Sequence, residues 1–244
     1  MQDPLIEYSI IVPAFNEEAF LPTTLIALTK VMQNVSRRGE LIVVDNNSDD
    51  ATAAIARSHG ARVVFESINQ ISRARNAGGK AANGPWLIFI DADTTVSAGL
   101  LQTALDALAT DEVCGGGAII SFDRYQIPIY RWPTIMWNGL AKRFKLAAGS
   151  FIFCRRDAFL AIGGFSEEVF AGEELFFVRL LKKWGESNRR PFRFLRMKGV
   201  VSSARKLDWF SLPQFLTMVF LIGVFPYAIR YRSLCGFWYK RPQP

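Results

Sequence analysis

The stretch Trp86-Leu-Ile-Phe-Ile-Asp-Ala-Asp93 closes an apolar run with two carboxylates set one residue apart, a spacing that lets both face a single cation. Carboxylate oxygens suit magnesium or manganese, ions that complete their shells with water and substrate phosphate oxygens rather than with a full protein cage. Bounded by Gly84-Pro85 before it and Asp91 after it, the run fits a strand covered on both faces. In an open parallel sheet, the carboxyl ends of the strands form the edge where ligands bind. Alone, the motif has a plainer explanation, with Asp91 solvated in a turn and Asp93 capping the next helix. Other groups of the same chemistry weigh against that. Asn16 and Glu17 follow a first apolar run, Asp45 follows a second, and Glu173-Glu174 open a helical stretch. A parallel sheet sends its strand-end groups to one cleft, however far apart they lie in the chain.

Residues 9–12, 41–44, 62–65, 86–90, 118–122 and 151–154 read as the strands that would carry these groups. Between them, residues 19–35 place Phe20, Leu21, Leu25, Leu28, Met32 and Val35 on one helical stripe. A helix capped by Ser48 or Asp49 runs to about residue 58, another spans 72–82, and a third is capped by Ser97 and continues to 109. Residues 156–162 form a short helix ended by Gly163-Gly164, and 173–184 a longer one ended by Gly185. The alternation predicts an α/β fold with a mostly parallel, doubly wound sheet flanked by helices. Residues 123–150, rich in Tyr, Trp, Pro and Arg, have no clear period and read equally as a binding loop or as helix.

A chain of 244 residues that is 50% hydrophobic can bury a sizeable core, and disorder is excluded. Its net charge of +7 favours anionic partners such as nucleotides, phospholipid surfaces or nucleic acid, without choosing among them. Cys114, Cys154 and Cys235 are widely spaced and odd in number, which fits neither a disulfide framework nor a thiolate metal site. No basic segment followed by a long apolar stretch opens the chain, so a cytoplasmic setting is expected. Asn34-Val-Ser36 matches a glycosylation sequon by chance in that setting.

Six motifs, Val12-Pro-Ala-Phe-Asn-Glu-Glu18, Val44-Asp-Asn-Asn-Ser-Asp-Asp50, Ser72-Arg-Ala-Arg-Asn-Ala-Gly78, Ile90-Asp-Ala-Asp93, Gly163-Gly-Phe165 and Gly172-Glu-Glu174, occur in one order. In that order and spacing the chain resembles family 2 glycosyltransferases over roughly residues 8–206. The resemblance implies a Rossmann-like, A-type nucleotide-diphospho-sugar transferase fold and a metal-dependent, inverting hexosyltransferase. The expected cofactor is Mn2+ or Mg2+, held by Asp93 against the donor diphosphate. Pro13, Ala14 and Glu17 would line the nucleoside pocket, with Glu17 on ribose hydroxyls, Asp45 on the base, and Arg75 near the phosphates or base. Lys80 would be a neighbour of that pocket. Asp91 would hold the sugar or ribose, and Glu174, seconded by Glu173, would be the general base. The family pair is commonly Glu-Asp, so the longer second side chain changes reach. Many relatives place a His near residues 200–206, whereas the single histidine here is His59, at an expected helix end. Arg205 and Lys206 then become candidates to neutralise the diphosphate.

The implied partners are a nucleoside diphosphate-sugar donor and a carbohydrate or lipid-linked acceptor, and not nucleic acid. Two other classes remain open. A sugar-phosphate nucleotidyltransferase would want a glycine-rich basic loop after the first strand, which Pro13-Ala-Phe-Asn-Glu-Glu18 lacks. A non-catalytic, membrane-attached binding protein would retain the fold without turnover. Residues 1–206 read as the catalytic domain and 207–244 as an apolar and basic tail. Residues 215–225 are too short for a confident span, so the tail, over residues 213–241, is expected either to touch the inner face of the cytoplasmic membrane peripherally or to pack on the domain or in a dimer interface.

Overall fold

Every residue of β1 (Tyr8–Ala14) is buried, as a strand covered on both faces requires, and Ile10 and Val12 enter one core while Ile11 enters the other. The computed structural model describes residues 5–123, 131–147, 149–205 and 229–235. After β1 come α1 (Leu21–Gln33), β2 (Gly39–Asp45), α2 (Thr52–Ser58), β3 (Arg62–Phe65), α3 (Ile71–Ala81) and β4 (Trp86–Phe89). They are followed by β5 (Thr94–Val96), α4 (Ala98–Ala109), β6 (Gly115–Phe122) and α5 (Arg131–Phe144). β7 (Ile152–Arg155), α6 (Arg156–Ala161), α7 (Glu173–Ser187) and β8 (Phe192–Ser202) complete the order.

The strands form one sheet in the order β3-β2-β1-β4-β7-β6-β8-β5. The β3–β2, β2–β1, β1–β4 and β6–β8 pairs are parallel, and β7 and β5 run against their neighbours. The mostly parallel α/β sheet expected from the sequence is therefore present, with a mixed half beyond β4. One core buries Leu21, Leu25 and Leu28 of α1 with Leu101, Leu105 and Leu108 of α4. The opposite core takes Ala74 of α3, Phe159 of α6, and Phe177 and Leu181 of α7.

Several boundaries differ from expectation, each for a local reason. α2 begins at Thr52, whose N–H donates to Asp50 Oδ1 at 2.8 Å, while Ser48 and Asp49 are spent on Asn16. Phe20 stands at the N-cap of α1, 40% exposed beneath the Arg205 guanidinium, and not on its buried stripe. α7 continues through Gly185, which is buried, to Ser187. The aperiodic stretch contains α5, held to β6 by the Asn138 amide, which bonds both the N–H and the carbonyl of Ile120. β5, three residues long, has no period to read; its register with β8 sets Thr94 opposite Ser202.

Among the described residues no helix is long and apolar enough to cross a membrane. Most of the expected membrane-contact segment, residues 213–228 and 236–241, lies outside them. The described piece of the tail returns to the domain: Phe170 N–H donates to the Ile229 carbonyl at 2.6 Å, and Arg230 pairs with Glu168 at 3.0 Å.

Candidate active site

Because β1, β2 and β4 are parallel and adjacent, their carboxyl ends bring Ala14, Asp45 and the Asp91-Ala92-Asp93 turn to one edge. Ala14 sits in register with Asp45, and Ile90 N–H donates to the Ile11 carbonyl. The two loops leaving that edge are zipped together by side chains bonded to backbone. Asn16 N–H donates to Ser48 Oγ, Glu17 N–H to Thr52 Oγ1 at 2.7 Å, and Glu18 N–H to Asp50 Oδ2. In return Asn16 Oδ1 accepts from Asp49 N–H and Glu18 Oε2 from Ala51 N–H. The polar residues of both motifs thus pair off to shape the edge, leaving Asp45 buried with one oxygen accepting from Ser48 N–H. The turn is tied to α1 as well, since Thr24 Oγ1 donates to the Ala92 carbonyl at 2.7 Å.

Two arginines divide the carboxylates between them. Arg75, 1% exposed, donates from Nη1 to Glu173 Oε1 and from Nη2 to Asp91 Oδ1 at 2.9 Å. Its guanidinium also lies over the Phe165 ring, and a Cβ on Gly149 would fall 2.3 Å from Nη2, so Gly149 closes the pocket by lacking one. Burial alone would pull its pKa down, but Asp91, Glu173 and Glu174 outweigh that and raise it. Arg205 donates from Nη2 to Glu17 Oε1 at 2.6 Å and from Nε to Asp93 Oδ2 at 3.1 Å. Burial opposes its charge too, and Glu17 and Asp93 again reverse the shift to a raised value. Arg205 reaches Asp93 because β5 pairs with the end of β8 and Ser203 N–H donates to the Asp93 carbonyl.

The acidic pair is positioned by the loop before α7. Gly163 and Gly164 hold φ of 79° and 77°, a region that favours glycine, and they turn the chain so that Phe165 N–H meets Asn76 Oδ1 at 2.8 Å. Phe165 then stacks on Phe177 at 4.1 Å between ring centroids and meets Phe89 edge-on. Gln70 fastens the other end of the loop, donating to the carbonyls of Glu167 and Val169. Glu173 and Glu174 are consequently the first residues of α7, where the helix dipole favours negative charge. Glu173 is buried against Arg75, whereas Glu174 is half-buried. Burial, and next the Glu173 carboxylate, push the Glu174 pKa up to about 8 against the opposing pull of Arg75.

Most of the expected site residues therefore converge: Pro13, Ala14, Glu17, Asp45, Asp91, Asp93, Glu173, Glu174 and Arg205 share the edge or its flank. Arg75 does not face an open phosphate pocket; both of its terminal nitrogens are taken by carboxylates within the fold. Lys80 is not near the nucleotide edge, because α3 runs away from it: the next carbonyl, of Ala81, accepts from Arg62 at the opposite start of β3. Lys206 lies outside the described residues. His59 caps α2 through Nδ1 on the Ile55 carbonyl, 2.9 Å away. Asn46, Gln70 and Asn76 carry structural roles that a list of acids and bases passes over, although Asn46 and Asn76 lie inside the motifs that carry the resemblance.

The donor set fits a hard divalent cation. Carboxylates outnumber the two guanidinium groups at this edge, and the charges of Glu173 and Asp91 add to the burial that raises the Glu174 pKa. No group of three or more His, Cys, Asp or Glu ligands occurs among the described residues. An ion here would therefore take Asp93, with Asp91 nearby, and complete its shell with phosphate oxygens and water, as magnesium and manganese do.

Comparison with known proteins bears on the family and the fold. An uncharacterised glycosyltransferase of Mycobacterium tuberculosis is 33% identical over 165 residues, 64% of this chain and 70% of that one. A mannosyltransferase from Pyrobaculum calidifontis, solved with GDP-Man and Mn2+, superposes with a TM-score of 0.62 at 16% identity. It is matched over 95% of this chain, which spans only 65% of it. Staphylococcus aureus TarS 1–349 with UDP-GlcNAc gives a TM-score of 0.63 at 16% identity, over 98% of this chain and 68% of that one. These likenesses establish the fold, a mixed α/β sheet with flanking helices shared with nucleotide-sugar transferases. The model of the family described as glycosyl transferase family 2 matches residues 9–163, and the chain belongs to that family.

Proposed function

We propose that the protein is a metal-dependent, inverting glycosyltransferase that moves a hexose from a nucleoside diphosphate-sugar donor to a hydroxyl of a carbohydrate or lipid-linked acceptor. The observation that carries this is the placement of Glu174, with its raised pKa, beside the Arg75 bridge that ties Glu173 to Asp91 at the sheet edge. Pro13 and Ala14 wall the nucleoside, Glu17 and Asp45 accept from ribose hydroxyls and base N–H groups, and Asp91 orients the sugar. Asp93 holds the cation, whose chemistry is to neutralise charge building on the departing diphosphate. Arg205, with Lys206 beside it in sequence, adds positive charge on the same side. Arg75 touches no substrate; it positions Asp91 and Glu173 relative to one another.

In the displacement, the acceptor oxygen bonds to the anomeric carbon as the bond to the diphosphate oxygen breaks, and the electron pair leaves on the diphosphate. Glu174 takes the acceptor proton, a task for which a pKa near working pH is well matched. Attack from the face opposite the leaving group inverts the anomeric centre. GDP-Man and UDP-GlcNAc, bound by the two solved relatives, mark the donor class and leave the base open.

A thermal-shift screen of nucleoside diphosphates and their sugars with manganese tests the donor assignment, since a ligand of the native state raises its stability. The expected outcome is a manganese-dependent shift for one nucleotide family, with metal-dependent hydrolysis or transfer of its sugar. No shift and no turnover with any nucleotide sugar would sink the proposal. Glu174→Gln should then cost roughly 10²–10⁴ in transfer while sparing the donor shift.

A further inference from the structure

α5 and α7 turn an apolar surface to solvent. Met136, Leu140 and Phe144 recur four residues apart on α5 and are 63%, 45% and 56% exposed. Phe144 shares a cleft with Leu175 and Arg179 of α7, and the Lys182 ammonium bonds its carbonyl at 2.6 Å. Phe176 and Leu180, beside that cleft, are exposed as well. An amphipathic helix of a folded domain normally turns such a stripe inward, so a contiguous exposed stripe on two adjoining helices marks a contact surface.

Bases outnumber acids around it. Lys142, Lys145, Arg193 and Arg196 line the adjoining cleft against one acid, Glu112, and in the cleft beside Phe144 one acid, Glu186, stands among Arg179, Lys182 and Lys183. None of Lys142, Lys145, Arg193 and Arg196 has an ion-pair partner among the described residues. Burial, and next the nearby Lys145 ammonium, pull the Lys182 pKa below its ordinary range against the opposing Glu186 carboxylate. A second copy of the chain, docked symmetrically, would press these like charges against each other. Nucleic acid would satisfy the lysines and arginines but has no place for the apolar stripe between them. An anionic bilayer satisfies both, with apolar side chains below the headgroups and cations among the phosphates.

We propose that the α5–α7 face seats the protein on an anionic lipid surface. Leu175 and Phe176 directly follow Glu173 and Glu174, so seating brings the acceptor end of the site to headgroup level. The surface goes beyond the transferase assignment and does not depend on it.

The test is co-sedimentation of the full chain with vesicles of phosphatidylcholine alone or mixed with phosphatidylglycerol. Binding is expected to the mixed vesicles, weakening as salt rises. Lys142→Glu combined with Lys145→Glu and Arg196→Glu should weaken it by about a hundredfold. Met136→Ser with Leu140→Ser should weaken it at unchanged charge, while Lys240→Glu with Arg241→Glu in the tail leaves it intact. None of Lys142, Lys145, Arg196, Met136 and Leu140 is among the site residues, so donor hydrolysis and the thermal midpoint should hold in the patch variants; a patch variant that lost its midpoint is replaced by Lys183→Glu with Arg193→Glu on the same face. Equal binding to neutral vesicles, no binding to either, loss through the tail pair alone, or a patch variant that changes the mass of the protein in solution would each overturn the assignment.

Discussion

Arg75 and Arg205 hold two carboxylates apiece across the same turn, yet they are mounted differently. Arg75 projects from the middle of α3 into a pocket closed by Phe165 and Gly149, and it joins Asp91 to Glu173, which lies 98 residues from Arg75 in sequence. Arg205 follows the last strand, rests on the partly exposed Phe20 ring, and joins Asp93 to Glu17. One clamp is built into the core, and the other sits where the donor diphosphate and its cation are proposed to bind. Similar pairings therefore do different work: Arg75 fixes the spacing between the donor side and the base side, while Arg205 offsets charge that a divalent cation can also offset.

Replacing the core clamp should have the largest effect. Arg75→Gln leaves Asp91 and Glu173 facing each other without their shared cation, at a cost of about 3–5 kcal/mol in urea unfolding that manganese does not restore. Full rescue by manganese and nucleotide would erase the distinction between the two arginines. Next, Asp93→Ala should abolish the manganese dependence of nucleotide binding in a thermal shift; unchanged dependence would move the metal elsewhere. Arg205→Gln should lose about 1–3 kcal/mol without ligand. Most of that should return with manganese and nucleoside diphosphate, with tighter apparent manganese binding than in the unaltered protein.

The smallest effect concerns pH. A base must be ionised to work, so transfer should rise with pH through an inflection near the Glu174 pKa of about 8. Glu173→Gln removes the like charge that helps hold that pKa up, and the inflection should move down by roughly one unit, equivalent to about 1.4 kcal/mol. An inflection that stayed in place would show that burial alone sets it.

Much of this was legible in the chain. The strands β1 to β4 are apolar runs bounded by turn residues, and their parallel order follows from the helices between them. Asp45, Asp91 and Asp93 then converge because parallel strands end at one edge. β7 was legible as a strand but its antiparallel direction was not, and the three-residue β5 was not legible at all: a short buried run has no direction of its own, and three residues carry no period. α5 was passed over although Met136, Leu140 and Phe144 recur at helical spacing, because Pro133 and Gly139 argue against a helix there.

The residue types and motif spacing by themselves determined the family, the α/β class and which carboxylates could do chemistry, because those depend on local pattern. Only the tertiary structure decided which arginine each carboxylate meets. The Arg75 contact with Glu173 depends on how Gly163, Gly164 and Asn76 fold a distant loop back onto α3. The contact of Arg205 with Asp93 depends on a β5–β8 pairing that spans more than 100 residues of chain, 112 between the two partners. Whether a guanidinium serves as a buried brace or as a counter-charge at a binding edge depends on what surrounds it, and spacing along a sequence carries no record of that.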